Sequence, residues 1–206
     1  MNSAKKLYCE MLYSILRLIA ILIFKVLFRI RVFGKKYIPK NGGFILASNH
    51  LSYLDPIVLG IVCSRRLNYM ARHDLFYNPF FSWLLTRINV FPVRRSSPDL
   101  SALKEAIKRL KNGQPLVLFP TGTRELKGLS LEPQAGIGFL AAKVDVPVIP
   151  VLIKGTQEAL PKGAKFIRPG KISVYFGEQI PIERRMPYQA IALRIMEGIR
   201  RLGRWQ

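Results

Sequence analysis

Two side chains in the run Asn49-His50-Leu51-Ser52-Tyr53-Leu54-Asp55 have the types and spacing of a general base. His50 stands five positions before Asp55, and it is one of only two histidines in the chain. Imidazole titrates near neutral pH. A carboxylate against one ring nitrogen fixes the tautomer and leaves the other nitrogen free to take a proton. Such a pair can activate a hydroxyl for attack on an acyl carbonyl. Asp55 has a second reading, because Pro56 and the apolar stretch Ile57 to Cys63 follow it. That pattern is also a helix N-cap with proline at the first turn. A carboxylate has acceptor capacity for both roles.

The elements around this run place it at a strand end. Phe44 to Ser48 reads as a strand leading into it, and Asp55 to Cys63 as the helix leaving it. Further strands are expected at Leu67 to Met70, Val90 to Val93, Leu116 to Phe119, Val148 to Ile153 and Lys171 to Phe176. Helices are expected at Asn78 to Arg87, Pro98 to Asn112, Pro133 to Val144 and Pro187 to Leu202. Leu100, Leu103, Ile107 and Leu110 keep helical spacing, and Gly113 ends that run. Strands alternating with helices predict an α/β fold, a mostly parallel central sheet flanked by helices. Functional groups then gather at the carboxyl ends of strands, where His50, Arg94 and Arg124 each follow a strand.

At 206 residues, half of them apolar, the chain is long enough to bury one core and too apolar for disorder. Its 33 Lys and Arg against 12 Asp and Glu give a formal net charge of +21, which predicts polyanionic surroundings. The aromatic residues sit in apolar runs and no nucleic-acid motif appears, so an anionic membrane surface is the expected partner and nucleic acid is not. Cys9 and Cys63 give neither a disulfide framework nor metal spacing, and no metal site is expected.

Leu7 to Val32 reads as one long apolar helix. At 100° per residue, Lys6, Glu10, Ser14, Arg17, Lys25 and Arg29 fall within an arc of about 140°. The longest uncharged run inside it, Leu18 to Phe24, is seven residues, whereas a span needs roughly 20. The expectation is an N-terminal membrane-interface helical segment, residues 1–33, ahead of a catalytic domain over 34–206. A core helix and a true span with snorkelling Arg17 and Lys25 are the alternatives.

Three more segments follow in order: Phe91-Pro92-Val93-Arg94, Phe119-Pro120-Thr121-Gly122-Thr123-Arg124 and Val146-Pro147-Val148-Ile149-Pro150-Val151. With Asn49 to Asp55 they resemble the four sequence blocks of the glycerolipid acyltransferases, over roughly residues 30 to 183. The resemblance implies acyl transfer from acyl-CoA or acyl carrier protein to the sn-2 hydroxyl of a 1-acyl-sn-glycerol-3-phosphate, giving phosphatidate. Other lyso-lipids are alternative acceptors, and an inactive lipid-binding protein is a rival. The resemblance makes His50 the base and Asp55 its partner. It makes Arg94 and Arg124 the ligands of the acceptor phosphate, beside Gly122 and Thr123. Arg95 is a weaker candidate for the same role. No bound cofactor is implied, only the acyl donor as substrate. It also implies membrane attachment, and the expected location is the cytoplasmic face of the inner membrane.

Nothing resembles a Gly-x-Ser-x-Gly elbow, so direct transfer without an acyl-enzyme is expected. The main-chain N–H groups of Gly122 and Thr123 are candidates for the oxyanion. The fourth block reads as core or as acyl-channel lining. His73 reads as a packing residue or as a contact for donor phosphates. Two positions depart from the family pattern. Thr121 stands where the third block usually has glutamate, and Asn89 where a small residue is common. Thr121 keeps a hydroxyl and no charge, which bears on acceptor identity.

Overall fold

The computed structural model describes residues 3–94, 99–124, 132–161, 163–183 and 185–203, without the side chains of residues 3–6 and 9. Seven strands form one sheet: β1 Phe28–Phe33, β2 Ile45–Ser48, β3 Asn68–Arg72, β4 Val90–Val93, β5 Leu116–Leu118, β6 Val148–Lys154 and β7 Gly170–Phe176. Their order across the sheet is β1-β7-β6-β2-β5-β3-β4. Every neighbouring pair is parallel except β6 and β7. The helices are α1 Ser3–Leu27, α2 Asp55–Val62, α3 Pro79–Arg87, α4 Leu100–Lys111, α5 Ala135–Lys143, α6 Thr156–Ala159 and α7 Tyr188–Arg201. The expected mostly parallel α/β architecture is what the chain adopts.

The sheet divides two apolar cores. On one side Phe24 of α1 and Val58, Leu59 and Val62 of α2 pack on Leu46, Ile149, Ile153, Ile172 and Val174. On the other, α4, α5 and α7 cover Ile45, Ala47, Leu116, Val148 and Leu152. Central strands covered on both faces must be apolar throughout, and all four residues of β2 are buried. Gly138 lets α5 and α7 touch, because a Cβ there would lie 1.9 Å from the Tyr188 carbonyl oxygen. Two helices, α3 and α4, start at side-chain caps. Asn78 accepts from the N–H groups of Phe80 and Phe81 ahead of α3, and Asp99 from those of Ser101 and Ala102 ahead of α4.

The N-terminal helix differs from its sequence reading. It ends at Leu27, and residues 28–33 run on as β1 beside β7 instead of as helix to Val32. From Phe28 the apolar period falls to two, with Phe28, Ile30 and Val32 turned to the core and Arg29 and Arg31 exposed. Arg17 is not on a headgroup-facing arc. Its guanidinium donates to the carbonyls of Gly60, Ile61 and Cys63 at 3.0, 3.3 and 2.7 Å. Those carbonyls end α2, where a cation meets the negative end of the helix dipole. The outward face of α1 is apolar, with Leu7, Met11, Ile15, Leu18, Leu22 and Val26 all exposed. Among the described residues, no helix is long and apolar enough to cross a membrane.

Candidate active site

The chain leaves β2 at Ser48 into the loop that carries the His50–Asp55 pair. Asn49, 2% exposed, anchors the exit. Its side-chain amide donates to the Ile153 carbonyl at 2.8 Å and accepts from the Ile153 N–H at 2.7 Å. The last main-chain register between β2 and β6 is Ser48 with Val151. Asn49 thus extends the ladder one step with a side chain, after the main chain has turned away.

Asp55 is fully buried and His50 is 14% exposed. One carboxylate oxygen, Oδ2, faces three donors: His50 Nδ1 at 2.9 Å, the Leu51 N–H at 2.6 Å and the Ser52 N–H at 2.8 Å. A carboxylate held by two main-chain N–H groups acts as an acceptor, so His50 carries its proton on Nδ1 and exposes a bare Nε2. The second oxygen, Oδ1, is buried without a partner. The capping reading of Asp55 does not hold. α2 begins at Asp55 itself, Leu54 occupies the capping position, and no side chain caps the helix. The carboxylate turns back to the loop before it, because that is where the free N–H groups point.

The β5 loop meets the β2 loop by two stacking contacts. The imidazole lies on the Phe119 ring at 4.1 Å, tilted by 19°. The Arg124 guanidinium carbon lies 3.5 Å from the centre of the Tyr53 ring, inside the range of a cation–π contact. Arg124 keeps one buried Nη1 without a hydrogen-bond partner. Gly122, at φ +67°, takes a left-handed turn beside Gln134. Its N–H donates to the Phe119 carbonyl at 2.9 Å. Of the two oxyanion candidates in this turn, Gly122 is therefore committed to the turn and Thr123 is the one that stays. Thr121, 6% exposed, donates its hydroxyl to the Thr123 carbonyl at 3.0 Å. Ser52 ties the β2 loop to the segment after β6, donating to the Leu160 carbonyl at 2.9 Å.

Arg94 follows the last residue of β4, two strands from β5, which is about 10 Å across the sheet. It stands at the same carboxyl edge as His50 and Arg124, and its side chain is exposed. Its N–H donates to Asp99 Oδ2 at 2.9 Å. The Ser101 hydroxyl, then the Arg94 and Ala102 N–H groups, hold the Asp99 carboxyl well below the usual carboxylate range. Arg95 lies outside the described residues. Asn89 has φ +63°, a left-handed conformation that glycine and asparagine tolerate best, so its departure from a small residue keeps the backbone shape. His73 meets the edge of Tyr77 at 5.3 Å, a packing contact. Burial pushes the Cys63 thiol above its ordinary value, which makes it a poor nucleophile. Among the described residues, no group of three His, Cys, Asp or Glu could hold a metal ion.

The structure therefore brings His50, Asp55, Gly122, Thr123 and Arg124 into one site and sets Arg94 at its flank. Tyr53, Phe119 and Asn49 were not read from the sequence as site residues. All three lie inside quoted blocks, Asn49 and Tyr53 in the His50 block and Phe119 at the head of the third, but only the fold shows what each one touches.

Comparison with known proteins gives consistent matches. A family model described as Acyltransferase matches residues 29–154. A 1-acyl-sn-glycerol-3-phosphate acyltransferase of Bacillus subtilis is 31% identical over 152 residues, 73% of each chain. One from Streptococcus pneumoniae is 28% identical over 177 residues, 84% of this chain and 64% of that protein. A chloroplastic relative from Arabidopsis thaliana is 28% identical, and the match spans 40% of its length. The crystal structure of a 1-acyl-sn-glycerophosphate acyltransferase from Thermotoga maritima superposes with a TM-score of 0.79 at 26% identity, covering 100% of this chain and 84% of that one.

Proposed function

We propose that this chain, which belongs to the acyltransferase family, acylates the sn-2 hydroxyl of 1-acyl-sn-glycerol-3-phosphate and releases phosphatidate. The observation that carries the mechanism is the triple bonding of Asp55 Oδ2, which fixes the tautomer of His50. Nε2 removes the proton of the acceptor hydroxyl as its oxygen attacks the thioester carbonyl. The tetrahedral intermediate then expels the thiolate, and the imidazolium returns the proton to sulfur. Asp55 stabilises the positive ring between the two transfers. A positioned base of this kind contributes roughly 10²- to 10⁴-fold in rate. The Thr123 N–H is the oxyanion donor, and Arg124 and Arg94 bind the phosphate through planar forks that keep their charge. No resident cofactor takes part; acyl-CoA or acyl carrier protein enters as substrate.

The exposed apolar stripe of α1 supports seating on a membrane, where a lyso-lipid keeps its tail. We place the protein on the cytoplasmic face of the inner membrane, which acyl donors reach from the cytosol. Thr121 leaves the site without the acidic group usual in the third block, and other lyso-lipid acceptors follow from that change. The test is acyl transfer in vesicles, pairing each donor with a panel of lyso-lipids, for the unaltered chain and His50→Ala. Phosphatidate formed from lysophosphatidate and lost in His50→Ala is the expected result. Transfer to another lyso-lipid alone would overturn the acceptor assignment. Transfer that survives His50→Ala would overturn the mechanism.

A further inference from the structure

The β1 edge of the sheet carries cations that the site does not use. Ile30 and Val32 of β1 pack with the core of α1 and α2, so Arg29 and Arg31 point to the opposite face. Ile172 and Val174 of β7 fill the same core, which turns Lys171 and Ser173 away from it. Ile153 of β6 does likewise, and Lys154 faces with the others. Register sets Arg29 opposite Lys171, and Arg31 opposite Ser173, which is itself opposite Lys154. Strand spacing and rise make this a field of about 10 by 7 Å. Arg29, Arg31 and Lys171 have no ion pair among the described residues.

The loop beside the field adds to it. Residues 155–170 hold three more Lys or Arg against the single acid Glu158. Phe166 in that loop is 82% exposed. The field lies at the catalytic end, because β6 runs parallel to β2 and ends at Lys154. Its neighbour Leu160 is the residue bonded to Ser52 of the His50 loop.

Orientation selects the occupant. The apolar stripe of α1 lies on one side of the sheet and the cationic field on the other. A bilayer seated on α1 leaves the field facing water. Arg29, Arg31, Lys154 and Lys171 are all exposed, whereas a small ligand such as a nucleotide-bearing thiol takes a concave site that buries most of its surface. We propose that this field docks an acidic protein, the acyl carrier protein that presents the acyl thioester on its flexible arm. Opposed charge steers such an encounter and raises its rate by 10- to 10³-fold at low salt. The proposal rests on the acyl-transfer reading above and adds the surface on which the donor arrives.

The test uses the full chain with vesicle-borne acceptor and either donor. Arg29→Glu, Arg31→Glu and Lys171→Glu are combined. A control of equal charge change combines Lys104→Glu, Lys108→Glu and Lys111→Glu on exposed α4 positions. The expected result is a fall of at least tenfold in kcat/KM for acyl carrier protein alone. Turnover of acyl-CoA and vesicle binding stay within twofold, and the control behaves as the unaltered chain. Glutamine at the same three sites gives a smaller fall in the same direction, and serves if the reversed variant does not fold. An equal loss with both donors overturns the proposal: with weaker vesicle binding the field is a membrane contact, and without it the field holds coenzyme phosphates. An unaltered chain that uses acyl-CoA but not the carrier protein also overturns it. An unaltered chain inactive with both donors sinks the acyl-transfer reading instead.

Discussion

Asp55→Asn separates the charge of the His50–Asp55 pair from its geometry. The amide oxygen takes the place of Oδ2, because the Leu51 and Ser52 N–H groups both need an acceptor there. His50 then keeps its proton on Nδ1 and its base on Nε2. The amide NH₂ falls where Oδ1 is buried without a partner, a lost donor that costs about 1–3 kcal/mol in stability. The larger loss is kinetic. Two unit charges about 4 Å apart at an effective dielectric of about 20 attract by about 4 kcal/mol. His50 is 14% exposed, and water trims that figure toward about 3 kcal/mol. At 1.36 kcal/mol per decade, kcat falls roughly 10²- to 10³-fold. The assay is steady-state transfer at saturating donor, with ¹⁵N NMR of the imidazole to read the protonated nitrogen and a melting curve to verify folding. A loss below tenfold with Nδ1 still protonated would refute the role of Asp55 in stabilising the imidazolium. A proton found on Nε2, with a loss near 10⁴-fold, would refute the argument from the two main-chain donors.

Three further outcomes follow from the geometry. Thr121→Glu places a carboxylate at a 6% exposed position beside the Thr123 carbonyl; it changes rate or acceptor preference, and an unchanged profile across the lyso-lipid panel would remove Thr121 from the argument. Tyr53→Leu removes the ring under Arg124; KM for the acceptor rises roughly fivefold or more through about 1 kcal/mol of lost cation–π contact, Tyr53→Phe restores it, and an equal effect of both would show that the ring face is idle. Asp99→Ala removes the α4 cap and the bond to the Arg94 N–H, costing about 1 kcal/mol. The folded Asp99 carboxyl titrates below its unfolded value, so this contribution is complete above about pH 5 and fades as the pH drops below about 4; a stability gap between the two proteins that widened in acid would contradict the sign.

The central strands were legible because burial on both faces makes them short apolar runs between turn residues, as in Phe44 to Ser48. The contact between His50 and Asp55 was legible because both members lie in one seven-residue stretch. The end of α1 was harder to see: Phe28-Arg29-Ile30-Arg31-Val32 alternates with period two, but Arg29 also fits the polar arc of the helix, and the partner strand β7 that settles the choice lies far along the chain. Arg17 misled for a related reason: its position on the helical wheel was right, but the carbonyls it meets belong to α2. The contact of Tyr53 with Arg124 joins two loops that no spacing rule connects. Asp55 showed the limit of local patterns, because an acid before a proline matches a cap while its donors lie behind it.

The pairing of β1 with β7 also orders events in time. Phe28 lies beside Gly170, so β1 leaves the ribosome long before the strand that fixes it has been made. Contacts this distant in sequence form slowly. Throughout that interval α1, with Leu7, Ile15 and Leu22 uncovered, exists ahead of the sheet that later holds it. On the membrane seating proposed above, a lipid surface would shelter the nascent helix before the fold closes, and membrane encounter would then be an early step of biogenesis rather than the last act of a finished enzyme.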